Sequence, residues 1–178
     1  MIWNSLRMFL SMTLLTGILY PLFITLIAQL ALHQKANGDL VFLQNNEQPR
    51  GSKLIAQKFT ADKYFWERPS AVDYNPLPSG GSNLGPTSAA LKKTILERRA
   101  VYSPKTEIPS ELLYASASGL DPHISVEAAL FQLDRVAKAR NLNPELIHDL
   151  INKATHWALF GPSYVNVLIL NSTLDETR

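Results

Sequence analysis

The chain has 178 residues, with 17 Lys+Arg against 15 Asp+Glu and no cysteine. That length allows a domain with its own core. The near balance of charge gives no electrostatic reason to expect nucleic acid, and the missing thiols exclude disulfides and thiolate metal sites.

The first element is the run "MFLSMTLLTGILYPLFITLIAQLAL", Met8 to Leu32, which has 25 residues without a charge, 13 of them Leu, Ile or Phe. As a helix it would be roughly 38 Å long, against roughly 30 Å of bilayer hydrocarbon. The run predicts a transmembrane helix over residues 8–32, with a short segment 1–7 before it and a soluble domain over 33–178 after it. Pro21 would damage a water-exposed helix but is tolerated in a span, usually as a kink. A cleaved signal peptide fits less well: its apolar region is about 7–15 residues, and Gln29 stands where cleavage after Ala31 needs a small residue. Thr13, Thr16 and Gly17 form a small-residue patch suited to helix packing, and Pro21 can fit against a partner. These four are candidate partner contacts. Arg7 on one side and Lys35, Arg50 and Lys53 on the other leave the orientation open on charge alone.

After a polar connector, alternation in "KLIAQKF" (53–59) predicts a short strand. Residues 67–86 hold four Pro and three Gly, the composition of a structured loop. A helix capped by Thr87 is expected through Arg99, with Leu91 and Ile95 on its apolar face. The loop "YSPKTEIPSE" then leads to "LLYAS", a short strand or bend. Ser125 is the expected cap of a helix through Ala139 that buries Val126, Ala129, Leu130, Leu133 and Val136. Another helix starts with Asn143 as cap and Pro144 first, striped by Leu146, Leu150 and Ile151. "YVNVLILN" (164–171) predicts a buried strand. The fold class is therefore α+β: a single amino-terminal transmembrane helix followed by one compact domain of mixed helix and strand.

Four motifs bear on chemistry. "SASGLDPHIS" (116–125) gathers serines, Asp121 and His123, but lacks the first glycine of a nucleophile elbow. A turn and helix entrance explains every residue. The rivals are a membrane-tethered serine hydrolase using Ser116 or Ser118 with His123, and a solute-binding module over the membrane, for which the sequence carries no pocket signature. Asp121, His123, His148 and His156 have no metal-ligand spacing. In "GGSNLGPT" (80–87), Gly80, Gly85 and Thr87 have the spacing of a phosphate loop, but Pro86 replaces its lysine. Any nucleotide contact here would have to come from Gly80, Gly81, Ser82, Gly85 and Thr87. The cluster "YFWERPSA" (64–71) reads as an exposed protein-contact patch, or as core with Arg68 anchoring the next loop.

In order along the chain, "LLTGILYPLFITLIAQL", Gly51–Ser52, "RPSA", "SGGSNLGPT", "SGLDPHIS", the face Gln132/Arg135/Val136/Ala137 and "VNV…LN" resemble one family over nearly the whole length. It is the C subunit of the bacterial Kdp potassium-transporting P-type ATPase, KdpC. The chain departs locally, with Tyr114 and Ala117 where the family usually has threonine and glycine, and with a loose match around "THWALFGPSY".

The resemblance implies a non-catalytic accessory subunit of an ATP-driven potassium uptake pump, a catalytic chaperone that raises the nucleotide affinity of the ATPase subunit. It implies as partners a channel-like A subunit, the P-type ATPase B subunit, a small single-span subunit and the lipid bilayer, with ATP and potassium handled by those subunits. It implies location in the bacterial inner membrane, with the amino terminus cytoplasmic and the domain outside, over the channel-like subunit. The family's glycine signature has glutamine where this chain has Ser82, so no nucleotide-binding residue carries over. Arg68, Asp121 and His123 join the span residues as candidate partner contacts.

Overall fold

The computed structural model of the chain describes residues 1–42, 48–102 and 107–177. It falls into two compact units, divided after Leu40. The first holds an apolar helix of membrane-spanning length, Ile2–Ala31. Its two α segments, α1 (Ile2–Leu14) and α2 (Tyr20–Ala31), are joined by a wide π turn, Leu15–Leu19. The turn has a cause in Pro21, whose ring would strike the carbonyl four residues back, at Gly17, in a regular helix. A four-residue helical turn, α3 (His33–Ala36), follows.

The second unit begins with two short paired strands, β1 (Leu40–Phe42, entered from the first unit) and β2 (Pro49–Ser52). A long irregular stretch leads to α4 (Ala89–Val101), and a 3₁₀ turn at Ser110–Leu112 precedes β3 (His123–Ser125). Then come α5 (Val126–Arg140), α6 (Pro144–Ala154), β4 (Thr155–His156), β5 (Tyr164–Asn166) and α7 (Val167–Glu176). The sheet order is β3-β5-β4, and β3 and β5 run antiparallel with Ile124 opposite Val165. Each of those strands ends in a helix cap. The Ser125 hydroxyl accepts from the Ala128 amide at 3.1 Å, and the Asn166 side chain accepts from the Ile169 amide at 3.1 Å. Two strands three residues long therefore turn directly into α5 and α7. The core between them is Ile124, Ala128, Val136, Ile147, Ile151, Val165, Leu170 and Leu174, closed by Phe65 and Leu112.

Several predicted elements are corrected. Residues 164–171 are not one strand, because Asn166 caps α7 and the apolar run continues as a helix buried on most sides. An apolar run of that length has no periodicity to separate the two states. Residues 53–59 form no strand. The Ala56 amide donates to the Leu120 carbonyl at 2.9 Å and the Gln57 amide to the Glu67 carboxyl at 2.9 Å, so these donors are met by loops instead of a ladder. Ser88 caps α4 in place of Thr87. Leu130 and Leu146, expected inside, are each 39% exposed, and Ile147 fills the place given to Leu146. Segment 112–116 forms no strand, leaving the 3₁₀ turn at Leu112 through a bend at Tyr114, and the loop predicted at 102–111 lies partly outside the described residues.

Candidate functional site

Residues 62–75 have no regular structure, so side chains must satisfy their backbone. Asn171 of α7 accepts from the Phe65 amide at 2.8 Å and donates to its carbonyl at 3.0 Å. Gln132 of α5 treats Trp66 in the same way, at 2.8 and 3.0 Å. Arg135, one turn on, donates to the carbonyls of Asp62 and Tyr64 and lies 3.6 Å above the centre of the Trp66 ring. Arg140 donates to the Lys63 carbonyl, and its guanidinium meets Asp175 at 2.7 Å. Asp175 also holds Arg50 and accepts from the Tyr64 hydroxyl. Burial pushes the Asp175 carboxyl up, but hydrogen bonds from Arg140, Arg50 and Tyr64 outweigh it and hold the group below its ordinary value. The aromatic cluster is thus core-facing: Phe65 is fully buried, Tyr64 and Trp66 half-buried.

Onto this frame the "SASGLDPHIS" segment is pinned by Arg68, whose guanidinium meets Asp121 at 2.9 Å. Asp121 accepts from the His123 amide at 3.1 Å and faces the His123 ring nitrogen at 3.5 Å. Its carboxyl lies below the usual range, first through the His123 side chain, then against opposing burial, with help from the His123 amide and Arg68. The His123 ring packs edge-on to Tyr164, centroids 4.5 Å apart. Ser118 accepts from the Leu120 amide and Ser116 is buried, and among the described residues neither is hydrogen-bonded to His123. The structure therefore brings Arg68, Asp121 and His123 together as one partly exposed cluster and leaves the serines out of it. Among the described residues no three His, Asp or Glu side chains gather as a metal site.

The glycine loop packs against this same segment. A Cβ on Gly81 would lie 3.0 Å from the Ala117 carbonyl, and one on Gly119 would lie 2.7 Å from the Gly80 carbonyl. Gly119 also has φ of +69°, where side chains are strained. Backbone-to-backbone contact accounts for glycine at 81 and 119. A Cβ on Gly80 or Gly85 would meet nothing within 4 Å, and Ser82, Gly85 and Thr87 are exposed. The helix that follows is already capped, with the Leu91 amide donating to Ser88 at 3.4 Å.

Sequence reasoning missed Glu67, which is 4% exposed. One carboxyl oxygen takes the Gln57 amide and the other has no hydrogen-bond partner. Burial pushes its pKa up to about 9, opposed by the Gln57 amide and reinforced by Asp121. Glu67 lines a largely apolar cleft of about 440 Å³ with Trp66, Tyr74, Arg98 and Tyr102. The only signal for it in the sequence is a lone carboxylate inside an aromatic run. In the first unit, Thr16 donates its hydroxyl to the Met12 carbonyl at 2.7 Å, and a side chain on Gly17 would meet nothing within 4 Å. Thr13 and Pro21 are exposed on the same helix.

The family model for KdpC, the c chain of a K⁺-transporting ATPase, matches residues 2–176. The chain belongs to the KdpC family. The potassium-transporting ATPase KdpC subunit of Serratia proteamaculans is 48% identical, covering 98% of this chain and 97% of its own. Those of Polynucleobacter asymbioticus and Leptospira interrogans are 44% and 43% identical, each over 97% of this chain. KdpC is a subunit of a potassium-transporting ATPase complex, so the clusters described above belong to an accessory part of a potassium uptake system. One apolar helix near the amino terminus fits KdpC to a membrane location.

Proposed function

We propose that this KdpC-family chain is the accessory subunit that stabilises the pump and raises the ATP affinity of its P-type ATPase subunit from outside the membrane. The amino terminus lies in the cytoplasm, the apolar helix crosses the inner membrane, and the domain covers the channel-like subunit. A domain outside cannot touch ATP held inside. The effect on affinity is therefore a coupling free energy carried through packed membrane helices. The partners are the channel-like A subunit, the ATPase B subunit and the small single-span subunit. The residues that face them are Arg68, Asp121 and His123 on the domain, and Thr13, Thr16, Gly17 and Pro21 on the span.

The observation carrying this reading is the clamped loop at 62–75. Side chains of α5 and α7 hold Phe65 and Trp66 by four hydrogen bonds, and Arg68 extends from that rigid base to the partly exposed Asp121–His123 edge. A surface built on fixed elements is preorganised for docking. Its test uses the absence of cysteine. Lys138→Cys, on the exposed face of α5, is expressed with the partner subunits, and intact spheroplasts are treated with a membrane-impermeant maleimide. Labelling before lysis is expected. Labelling only after lysis would put the domain beside the ATPase and make the loop at 80–87 the candidate for direct nucleotide contact.

A further inference from the structure

The β4–β5 connection carries Trp157, Leu159 and Phe160 at 66%, 89% and 91% exposure. The strands that hold it are anchored, since Thr155 and Val165 are paired and buried. The loop itself is closed by the Ala158 amide donating to Ser163 and turned by Gly161 at φ +97°. A firm base thus presents three large apolar side chains to solvent, a costly arrangement unless something covers them.

Two further observations choose the cover. From Ile151 to Tyr164 there is no carboxylate, and Lys153 and His156 are exposed beside the loop. Trp, Phe and Leu flanked by basic groups suit the headgroup region of an anionic bilayer. The same chain also carries its own apolar helix, ending at Ala31, and the second unit starts at Val41. A connector that short reaches at most about 3.3–3.6 Å per residue. The domain therefore meets the lipid surface at high effective concentration, and even weak partitioning becomes persistent. Side chains this exposed also need no matching socket in a fluid interface.

We propose that the loop Trp157–Phe160 inserts into the bilayer interface and is a second, peripheral membrane contact of this chain. It acts whichever side of the membrane the domain occupies, so it does not depend on the proposed topology.

The test uses the full-length chain alone in nanodiscs of phosphatidylethanolamine and phosphatidylglycerol, with Phe160→Cys carrying an environment-sensitive NBD fluorophore. Lys138→Cys with the same label is the exposed control. The expected result is a blue-shifted, several-fold brighter signal at position 160, quenched by lipids spin-labelled near the headgroup, with a water-like signal at 138. Combining Trp157→Ser with Leu159→Ser should reverse the shift while circular dichroism stays unchanged. A water-like signal at 160 would overturn the proposal. So would a signal that turns apolar only when the other pump subunits are added, which would make the loop a protein contact.

Discussion

The side-chain amide of Gln132 is bonded at both ends to the backbone of Trp66, accepting from its amide at 2.8 Å and donating to its carbonyl at 3.0 Å. Gln132 also accepts from Arg135 at 2.7 Å, so one buried glutamine ties α5, the loop and the arginine stacked on Trp66. Gln132→Leu keeps the volume but leaves two backbone groups without partners. A loss of about 2–4 kcal/mol is expected from two such groups, measured by chemical denaturation of the full chain in detergent. Asn171→Leu should cost a similar amount, and the double mutant should cost less than the sum, because both residues hold adjacent positions of one loop. Full additivity would mean the two clamps act separately.

Glu67 makes stability depend on pH in an unusual direction. Its folded pKa is about 9 against an ordinary 4.5. Between those values the folded chain holds a proton the unfolded chain has lost, so stability falls as pH rises through the window. The limiting slope is about 1.4 kcal/mol per pH unit. Asp121 and Asp175 are depressed and act oppositely, contributing stability that is lost as pH falls below the ordinary carboxylate range. Glu67→Gln keeps an acceptor for the Gln57 amide and removes the titration. The variant should unfold at a higher temperature than wild type at pH 8 and at about the same one near pH 4.5. Parallel profiles across that range would show that Glu67 is ionised in the fold.

The two kinds of glycine in the 80–119 region should part company. Gly119→Ala places a Cβ against the Gly80 carbonyl and Val72 at positive φ, and a loss of more than about 2 kcal/mol is expected from strain and displacement. Gly85→Ala meets open space and should leave stability unchanged. In the assembled pump, Gly85→Ala should also leave the ATP concentration dependence of hydrolysis where it was. A raised KM for ATP would assign the loop a nucleotide contact after all.

Gly17 faces open space in the chain by itself, so Gly17→Leu should insert and fold normally. If a partner helix packs at the patch with Thr13 and Thr16, the added side chain holds the helices apart. Reduced co-purification of the ATPase subunit in detergent is the expected outcome. Wild-type recovery would move the helix contact to another face.

The sequence alone determined the elements with strong local signals. An uncharged apolar run as long as the bilayer allows one structure, Ser125 and Asn143 mark helix starts through bonds made within three residues, and Pro144 marks one by its fixed φ. The ordered set of short motifs also resolved the family. Three-residue strands carry too little periodicity to be read, which is why 164–171 looked like a strand and not a cap followed by a helix. The amide clamps lie beyond any local signal, because Gln132 and Asn171 reach residues 66 and 106 positions away. Asp121 and His123 are neighbours in sequence, but only the fold sets Arg68 against them. Glu67 lies furthest from sequence reading: its proton affinity comes from surrounding atoms that exclude water, and those are assembled only when the chain folds.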